Sequence, residues 1–447
     1  MTIIKPFRGY RYDPKAVGSL SRVITPPYDV INKKQQAAYY KAHPYNFIRL
    51  DLGKTSPADN EKNNRYKRAA ISLGEWINKG ILVRDRRESV YVYEQEYTVG
   101  GKKRRRLGFI SLARLEEDRT KGFLPHERTF KGPKLDRLNL MKETCANLSP
   151  IFSILPDENK KIINILKGFS GKNKPVFDVR FDGTRNRIWL MDDPGLIKRL
   201  KTSVKGKRAL IADGHHRYEV ALEYRRYMLK GRTAGGLSGS AAADPDALNY
   251  VMMYFATSDP SGLTILPTHR MVEGISAESF RRNLDKLGIF FDIIHSGSKD
   301  KMFARMRAEK RHTIGVYIGG LRGYLCLTLK RRDASGLIRS KNSAYWKNLD
   351  VVILHRLVFE KILGIKGERA ERMIAFTRDP KAAFEWVEAG QSRRNGTLRC
   401  VARAAFFLNP PVFDEIKNIV KRRERMPHKT TYFYPKPPSG MVINRIR

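Results

Sequence analysis

Cysteine is nearly missing from this chain: three residues in 447, at Cys145, Cys326 and Cys400. They stand singly, without paired or metal-ligand spacing, which argues against a disulfide framework and a structural zinc site and makes a reduced cytoplasm the expected setting. Long apolar runs are also missing. No stretch approaches the roughly 18 residues that a membrane helix needs, and residues 1–8 show no signal-peptide h-region, so no membrane partner is expected. The common nucleotide and hydrolase loops are lacking as well. There is no Gly-x-x-x-x-Gly-Lys-Ser/Thr, no Gly-x-Gly-x-x-Gly after a strand, no Gly-x-Ser-x-Gly and no internal repeat. Acidic residues are scarce: 45 Asp and Glu against 87 Lys and Arg leave a net charge of +42.

What is present suits a folded protein with a sizeable core, since hydrophobic residues make up 41% and aromatics 10% of the chain. The positive field attracts polyanions, so non-specific nucleic-acid association has to be considered. Yet the excess is spread, and its densest runs are short: 102–106, 330–332 and 421–425. The first follows Gly100-Gly101 between strand-like stretches at 90–99 and 107–115, which predicts a hairpin with solvated charge at its tip. Pro26-Pro27 predicts an extended course for the opening segment. A helix is expected within 61–80, a polar loop over 121–136 and a buried segment over 149–155. Residues 276–287 are expected to be helical, 315–329 a β-hairpin and 349–363 a helix. Residues 231–246, rich in Gly, Ala and Ser, predict a flexible loop or link between an N-terminal region, 1–230, and a C-terminal α+β region, 247–447. Strands and helices lack a regular βαβ rhythm, so the fold class is α+β.

One segment concentrates chemistry. Residues 209–212 form a short apolar run that stops at Asp213-Gly214, and a helical pattern begins after it, with Val220, Ala221, Leu222, Tyr224 and Tyr227 spaced for one face. A strand therefore feeds a glycine turn that opens a helix. The unpaired amides of a helix start favour anions. Asp213, His215, His216 and Arg217 add a carboxylate, two imidazoles and a guanidinium at that point. The plainer alternative is Asp213 as a helix cap with solvated neighbours.

Four further clusters carry polar chemistry. His126-Glu127-Arg128-Thr129, followed by Lys134, Asp136 and Arg137, offers a carboxylate base and cations for phosphate; a solvated loop of mixed charge is the alternative. Thr268-His269-Arg270 closes a strand, as a binding cluster or as a capped turn. His355, on an apolar helix after Asp350, fits a core histidine best. The stretch 426–436 mixes Pro, His428, Lys429, Thr and three rings, Tyr432 among them, and suits either a nucleotide clamp or simple packing.

Taken together, these segments resemble the family catalogued as domain of unknown function one thousand and fifteen. The resemblance rests on Pro6-Phe7-Arg8-Gly9 with Thr25-Pro26-Pro27-Tyr28-Asp29-Val30, on His126-Glu127-Arg128-Thr129 with Asp136-Arg137, and on Asn147-Leu148-Ser149-Pro150-Ile151-Phe152. It extends to Asp213-Gly214-His215-His216-Arg217-Tyr218, Leu266-Pro267-Thr268-His269-Arg270 and the tail 426–440. The Asp-Gly-His-His-Arg turn is similar to that of the ParB/sulfiredoxin superfamily, and within it to free L-serine kinases. That similarity implies a ParB/sulfiredoxin-like nucleotide-binding core with mixed-sheet and helical elaborations. It also implies phosphoryl transfer from ATP or ADP to free L-serine with Mg²⁺. Gly214, His215, His216 and Arg217, with Arg137 and Thr129, would then hold the nucleotide. Asp213 would bind metal or face the hydroxyl, and Glu127 beside His126 would supply the base. Thr268, His269, Arg270, Lys429 and Tyr432 are candidates for the substrate side. The partners expected are a nucleotide and a small amino acid, with no obligate protein partner. A ParB-like nucleic-acid-binding protein is the competing expectation, motivated by the charge. A sulfiredoxin-like reaction would need a cysteine at the turn, and none is near it in sequence.

Overall fold

The computed structural model describes residues 2–118, 122–127, 131–233, 244–309, 312–390, 393–394, 397–398 and 401–446, with backbone alone for 131, 231–233, 393–394 and 397–398. Two compact units emerge. One combines Met1–Pro125, Thr129–Thr264 and Pro435–Arg447; the other combines His126–Arg128 and Ile265–Tyr434. The change of unit comes at Thr264 and Ile265, whereas the sequence places its link at 231–246. Residues 234–243 of that link lie outside the described residues.

The first unit is built on a mixed sheet of nine strands among the described residues. Eight lie in the order Phe123–Pro125, Ala209–Asp213, Ile151–Leu155, Tyr250–Thr257, Lys102–Arg114, Val90–Val99, Thr184–Met191 and Phe177–Phe181, and Ile4–Lys5 pairs onto Lys102–Arg114. The interior strand Ile151–Leu155 is buried at every residue and apolar at all but Ser153, whose hydroxyl donates to the Tyr254 carbonyl at 3.1 Å. It runs parallel to Tyr250–Thr257 and antiparallel to Ala209–Asp213. Helices cover the sheet because their apolar stripes have nowhere else to go. Ile162 and Leu166 of Lys161–Ser170, and Tyr218 and Leu222 of His215–Thr233, join Phe109, Ile211 and Phe255 in one core.

Three local expectations change. The basic run 102–106 is part of the long strand Lys102–Arg114, not the hairpin tip, which is the left-handed pair Gly100-Gly101 (φ 57° and 73°). Pairing continues because the facing strand is acidic. Arg105 sits opposite Glu96 in register and ion-pairs with the buried Glu94. Residues 121–136 are not one polar loop. Within them Phe123–Pro125 is a strand parallel to Ala209–Ile211, and the helix Lys131–Thr144 begins. Pro27 is extended as expected, but Tyr28–Val30 turns at once into a 3₁₀ helix that brings Asp29 round.

The second unit has its own six-stranded sheet among the described residues. Its order is Phe291–Ser296, Tyr324–Leu329, Thr313–Ile318, Arg403–Phe407, His269–Glu273 and Ile374–Thr377. The expected hairpin over 315–329 is present as Thr313–Ile318 and Tyr324–Leu329. The helices Lys299–Ala308 and Pro380–Ala389 bury Met302, Met306, Phe384 and Val387 against Ala405 and Phe407. Phe406, the residue between, packs edge-on against Phe359 at 4.9 Å. Phe359 belongs to a segment expected as one helix. It starts as the α-turn Asp350–Ile353 and continues as a π-helix, Leu354–Ile362. The helix expected over 276–287 divides into Ala277–Arg281 and Leu284–Gly288.

Candidate functional site

The strand Ala209–Asp213 ends where its register with Ile151–Leu155 shifts, between Ile211 and Asp213. Gly214 follows at φ +90°, and the helix opens at His215, with Tyr218 N–H donating to the Gly214 carbonyl at 3.1 Å. A side chain at 214 would be doubly penalised. The left-handed backbone disfavours it, and a Cβ would lie 2.9 Å from the Arg217 guanidinium. The glycine thus lets Arg217 fold back over the turn.

Arg217 Nη2 donates to Asp213 Oδ2 at 2.6 Å, and Nη1 donates to Ser149 Oγ at 3.0 Å and the Pro150 carbonyl at 2.6 Å. The second Asp213 oxygen faces Lys436 Nζ at 2.6 Å, and the same ammonium reaches Asp29 Oδ2 at 2.6 Å. One lysine therefore bridges two carboxylates, and Asp213 is gripped from both sides. Burial alone would push the Asp29 carboxyl up. The Lys436 charge and hydrogen bond, with Arg217 behind them, outweigh it and hold the carboxyl below its usual range.

Arg137 extends the network. It ion-pairs with Asp51 at 2.9 Å and Asp136 at 2.6 Å, and stacks 3.9 Å over the Tyr28 ring. Burial moves its pKa down, but Asp51 and Asp136 more than reverse this. Burial pushes the Tyr28 hydroxyl up to about 12, partly opposed by Arg137 and Arg217. Arg137, Arg217, Asp51 and Ser149 share a cavity of about 50 Å³, room for water rather than for a nucleotide. Half-buried His216 is held neutral chiefly by desolvation, against Glu219, Asp29 and Asp213 and with Lys134. His215 is buried.

The structure thus brings Asp213, Gly214, His215, His216, Arg217 and Arg137 into one unit. Thr129 lies outside the described residues. The other expected residues belong to the second unit. There the buried His126 ring shares a hydrogen bond with Thr431 Oγ1 at 2.8 Å and lies 3.8 Å from Glu127 Oε1, and Arg425 donates to the Glu127 carbonyl at 3.1 Å. Arg270 donates to the carbonyls of Thr268, His428 and Lys429. His269 Nδ1 accepts from the Leu408 amide, and Tyr432 stacks under Arg378 at 3.8 Å.

Sequence reasoning missed Asp29, Asp51 and Lys436 as members of the first constellation. Asp29 and Lys436 lay within segments already marked by their motifs, Thr25–Val30 and the tail 426–440, so the signal existed without pointing to a shared site. For magnesium, no group of three metal-ligating side chains occurs among the described residues, and Lys436 bridges the two carboxylates at the turn, Asp29 and Asp213.

An α+β protein with an anion-suited turn, ion-paired on all sides, is what these features define. The chain belongs to the DUF1015 family of proteins of unknown function, whose family model matches residues 4–352. No curated protein matches it. Solved structures similar to it include a point mutant of a free serine kinase in complex with ADP, at 13% identity and TM-score 0.33, covering 70% of this chain and 84% of that one. A conserved hypothetical protein from Pyrococcus furiosus matches at 14% and 0.33, covering 73% and 93%. SbnI from Staphylococcus aureus, truncated at its C-terminus, matches at 10% and 0.32, covering 74% and 86%. Among the described residues, no helix is long and apolar enough to cross a membrane.

Proposed function

We propose that the first unit holds a ParB/sulfiredoxin-like nucleotide site and that the protein is a small-molecule phosphotransferase, moving a phosphoryl group from ATP or ADP to the hydroxyl of free L-serine. The observation that carries the phosphate assignment is the Gly214 turn, where two cations, Arg217 and Lys436, converge on one carboxylate at a helix start. Phosphate oxygens bind there by taking the place of Asp213 on the two cations, in reach of the opening helix amides. The choice of serine rests on the resemblance of the Asp-Gly-His-His-Arg turn to free serine kinases.

In the reaction the serine oxygen forms a bond to the terminal phosphorus, the bridging P–O bond breaks, and its electron pair leaves with the shortened nucleotide. The hydroxyl proton goes to a carboxylate. Glu127 is the proposed base, chosen as the carboxylate of the acidic loop that precedes the turn in the sequence. A metal arriving with the nucleotide would find Asp29 and Asp213 only once Lys436 had left them for phosphate, since Mg²⁺ often uses one or two carboxylates plus phosphates. When bound it would neutralise phosphate charge. Arg217 and Lys436 hold the phosphates, and Arg137, paired with Asp51 and Asp136, supports the turn from behind.

A coupled assay with ATP or ADP, L-serine and Mg²⁺ is expected to yield O-phosphoserine. Asp213→Asn and Glu127→Gln should each lower turnover by about 10²–10⁴-fold with the fold retained. No O-phosphoserine from either donor would rule the proposal out.

A further inference from the structure

The second unit contains a separate cavity of about 410 Å³, within the size range of small-molecule sites. Its rim is exposed at Arg332, Ala344 and Tyr345, while Arg270, Thr268 and Thr430 on its lining are buried, Arg270 completely. The carboxylates on the lining are already engaged. Asp350 takes the His312 amide at 3.1 Å and its ring nitrogen at 3.0 Å, Asp333 takes Asn348 Nδ2 at 2.7 Å, and Glu415 takes the Val412 amide at 2.9 Å.

Arg270 is in the opposite state. Its Nη atoms donate only to backbone carbonyls, it lies 5.3 Å over the Phe376 ring, no carboxylate is within ion-pair distance among the described residues although the Glu127 charge reaches it, and its Nε is buried without an acceptor. A guanidinium taken out of water without a carboxylate is a strong attractor for an anion. A second group repeats the pattern. His355, one turn after the lining residue Val351, has its Nε2 buried without a partner, and its ring feels the Arg270 charge. It lies in the π-helix Leu354–Ile362, a distortion frequent at functional sites.

We propose that this cavity is a binding site for a small organic oxyanion, a carboxylate or phosphate monoester, whose charge is neutralised by Arg270 and whose oxygens are met by the lining hydroxyl of Thr268. The site stands independently of the phosphotransferase reading.

Titration calorimetry on the full chain with acetate, malonate and inorganic phosphate, each against potassium chloride at equal ionic strength, tests it. At least one anion should bind saturably with one site per chain. Arg270→Gln should weaken it tenfold or more. Ala344→Trp, which fills the cavity from its exposed rim and leaves the buried guanidinium alone, should abolish it with an unchanged melting temperature. This second variant decides the matter if Arg270→Gln does not fold. Whether malonate and acetate or phosphate bind tighter identifies the source of the oxyanion. No saturable binding of any of the three, or binding that Ala344→Trp retains, overturns the proposal.

Discussion

Arg217 stands in the first turn of the helix that follows a sheet strand and Arg270 near the start of a strand, and the two units treat these guanidiniums in opposite ways. In the first unit Arg217 has a carboxylate, a hydroxyl and a carbonyl around it, and its carboxylate is shared with a lysine. In the second, Arg270 is wholly buried, donates to carbonyls over the Phe376 ring and has no ion pair among the described residues. A paired cation gives the local structure its geometry, so removing it leaves Asp213 short of a partner. A cation without a counter-charge opposes folding and keeps its value for something that binds.

The largest effect should come from replacing each guanidinium by an apolar chain of similar length. Arg217→Met is expected to lower stability by about 3 kcal/mol, since it breaks a largely buried pair. Arg270→Met should cost less than Arg217→Met, because the desolvation cost of the charge disappears with it and offsets the lost bonds to the Thr268, His428 and Lys429 carbonyls. Chemical denaturation of the two variants measures the difference. Equal losses at both positions would remove the contrast.

Acidification separates the units next. Burial pushes the His269 imidazole down to about 4, with Arg270 adding to the shift and Asp379 opposing it. His355 is pushed down to about 3, again by burial first and then by Arg270 and Arg356. Both fold as neutral rings, so their contribution is complete above the unfolded value of about 6.5 and is lost as pH falls from there towards 4. Asp29 behaves otherwise. Its folded pKa is depressed, so its contribution persists down to its unfolded value of about 3.9 and goes only as pH drops through the folded one. Half-buried His216 gives the first unit a weaker version of the histidine effect. Between pH 6.5 and 4 the second unit should therefore weaken by about 2–3 kcal/mol more than the first. Hydrogen-exchange protection, corrected for intrinsic rates, should fall in Arg403–Phe407 and Leu354–Ile362 before Ala209–Asp213. The reverse order would contradict the assignment of these rings as neutral and buried.

How much of this was legible in the sequence depended on how local each feature is. The Asp213–Arg217 junction is carried by five consecutive residues, so apolar run, glycine and helix pattern revealed it. The hairpin strands and the mostly apolar Ile151–Leu155 were visible for the same reason. Lys436 and Asp29 were not placed at the junction, because a lysine bridging two carboxylates from distant segments leaves no spacing to read. In the run 102–106, Lys102, Lys103 and Arg105 are exposed as read, but its place in the ladder and its partner Glu94 across the hairpin appear only once register is known. The π-helix keeps nearly the same apolar periodicity as an α-helix, so 349–363 showed the helix and concealed its distortion. For His355 the core-residue reading was half right: the ring is packed against Phe359, but its outer nitrogen is left without a partner.

The smallest effect is also the most selective. Gly214 and Gly320, one in each unit, hold nearly the same left-handed backbone, at φ +90° and +83°. A methyl group at Gly320 would meet only Ala277, at 3.8 Å, so Gly320→Ala reports backbone strain alone, on the order of 1 kcal/mol. At Gly214 the same methyl would press on the Arg217 guanidinium at 2.9 Å. Arg217 is fastened to Asp213, Ser149 and Pro150 and cannot swing aside without breaking those bonds. Gly214→Ala should then cost roughly 1 kcal/mol more than Gly320→Ala. It should also lower phosphoserine formation, which Gly320→Ala should leave unchanged. Equal stability losses would mean that the guanidinium over the turn is free to move, and the turn would lose the rigidity that phosphate binding asks of it.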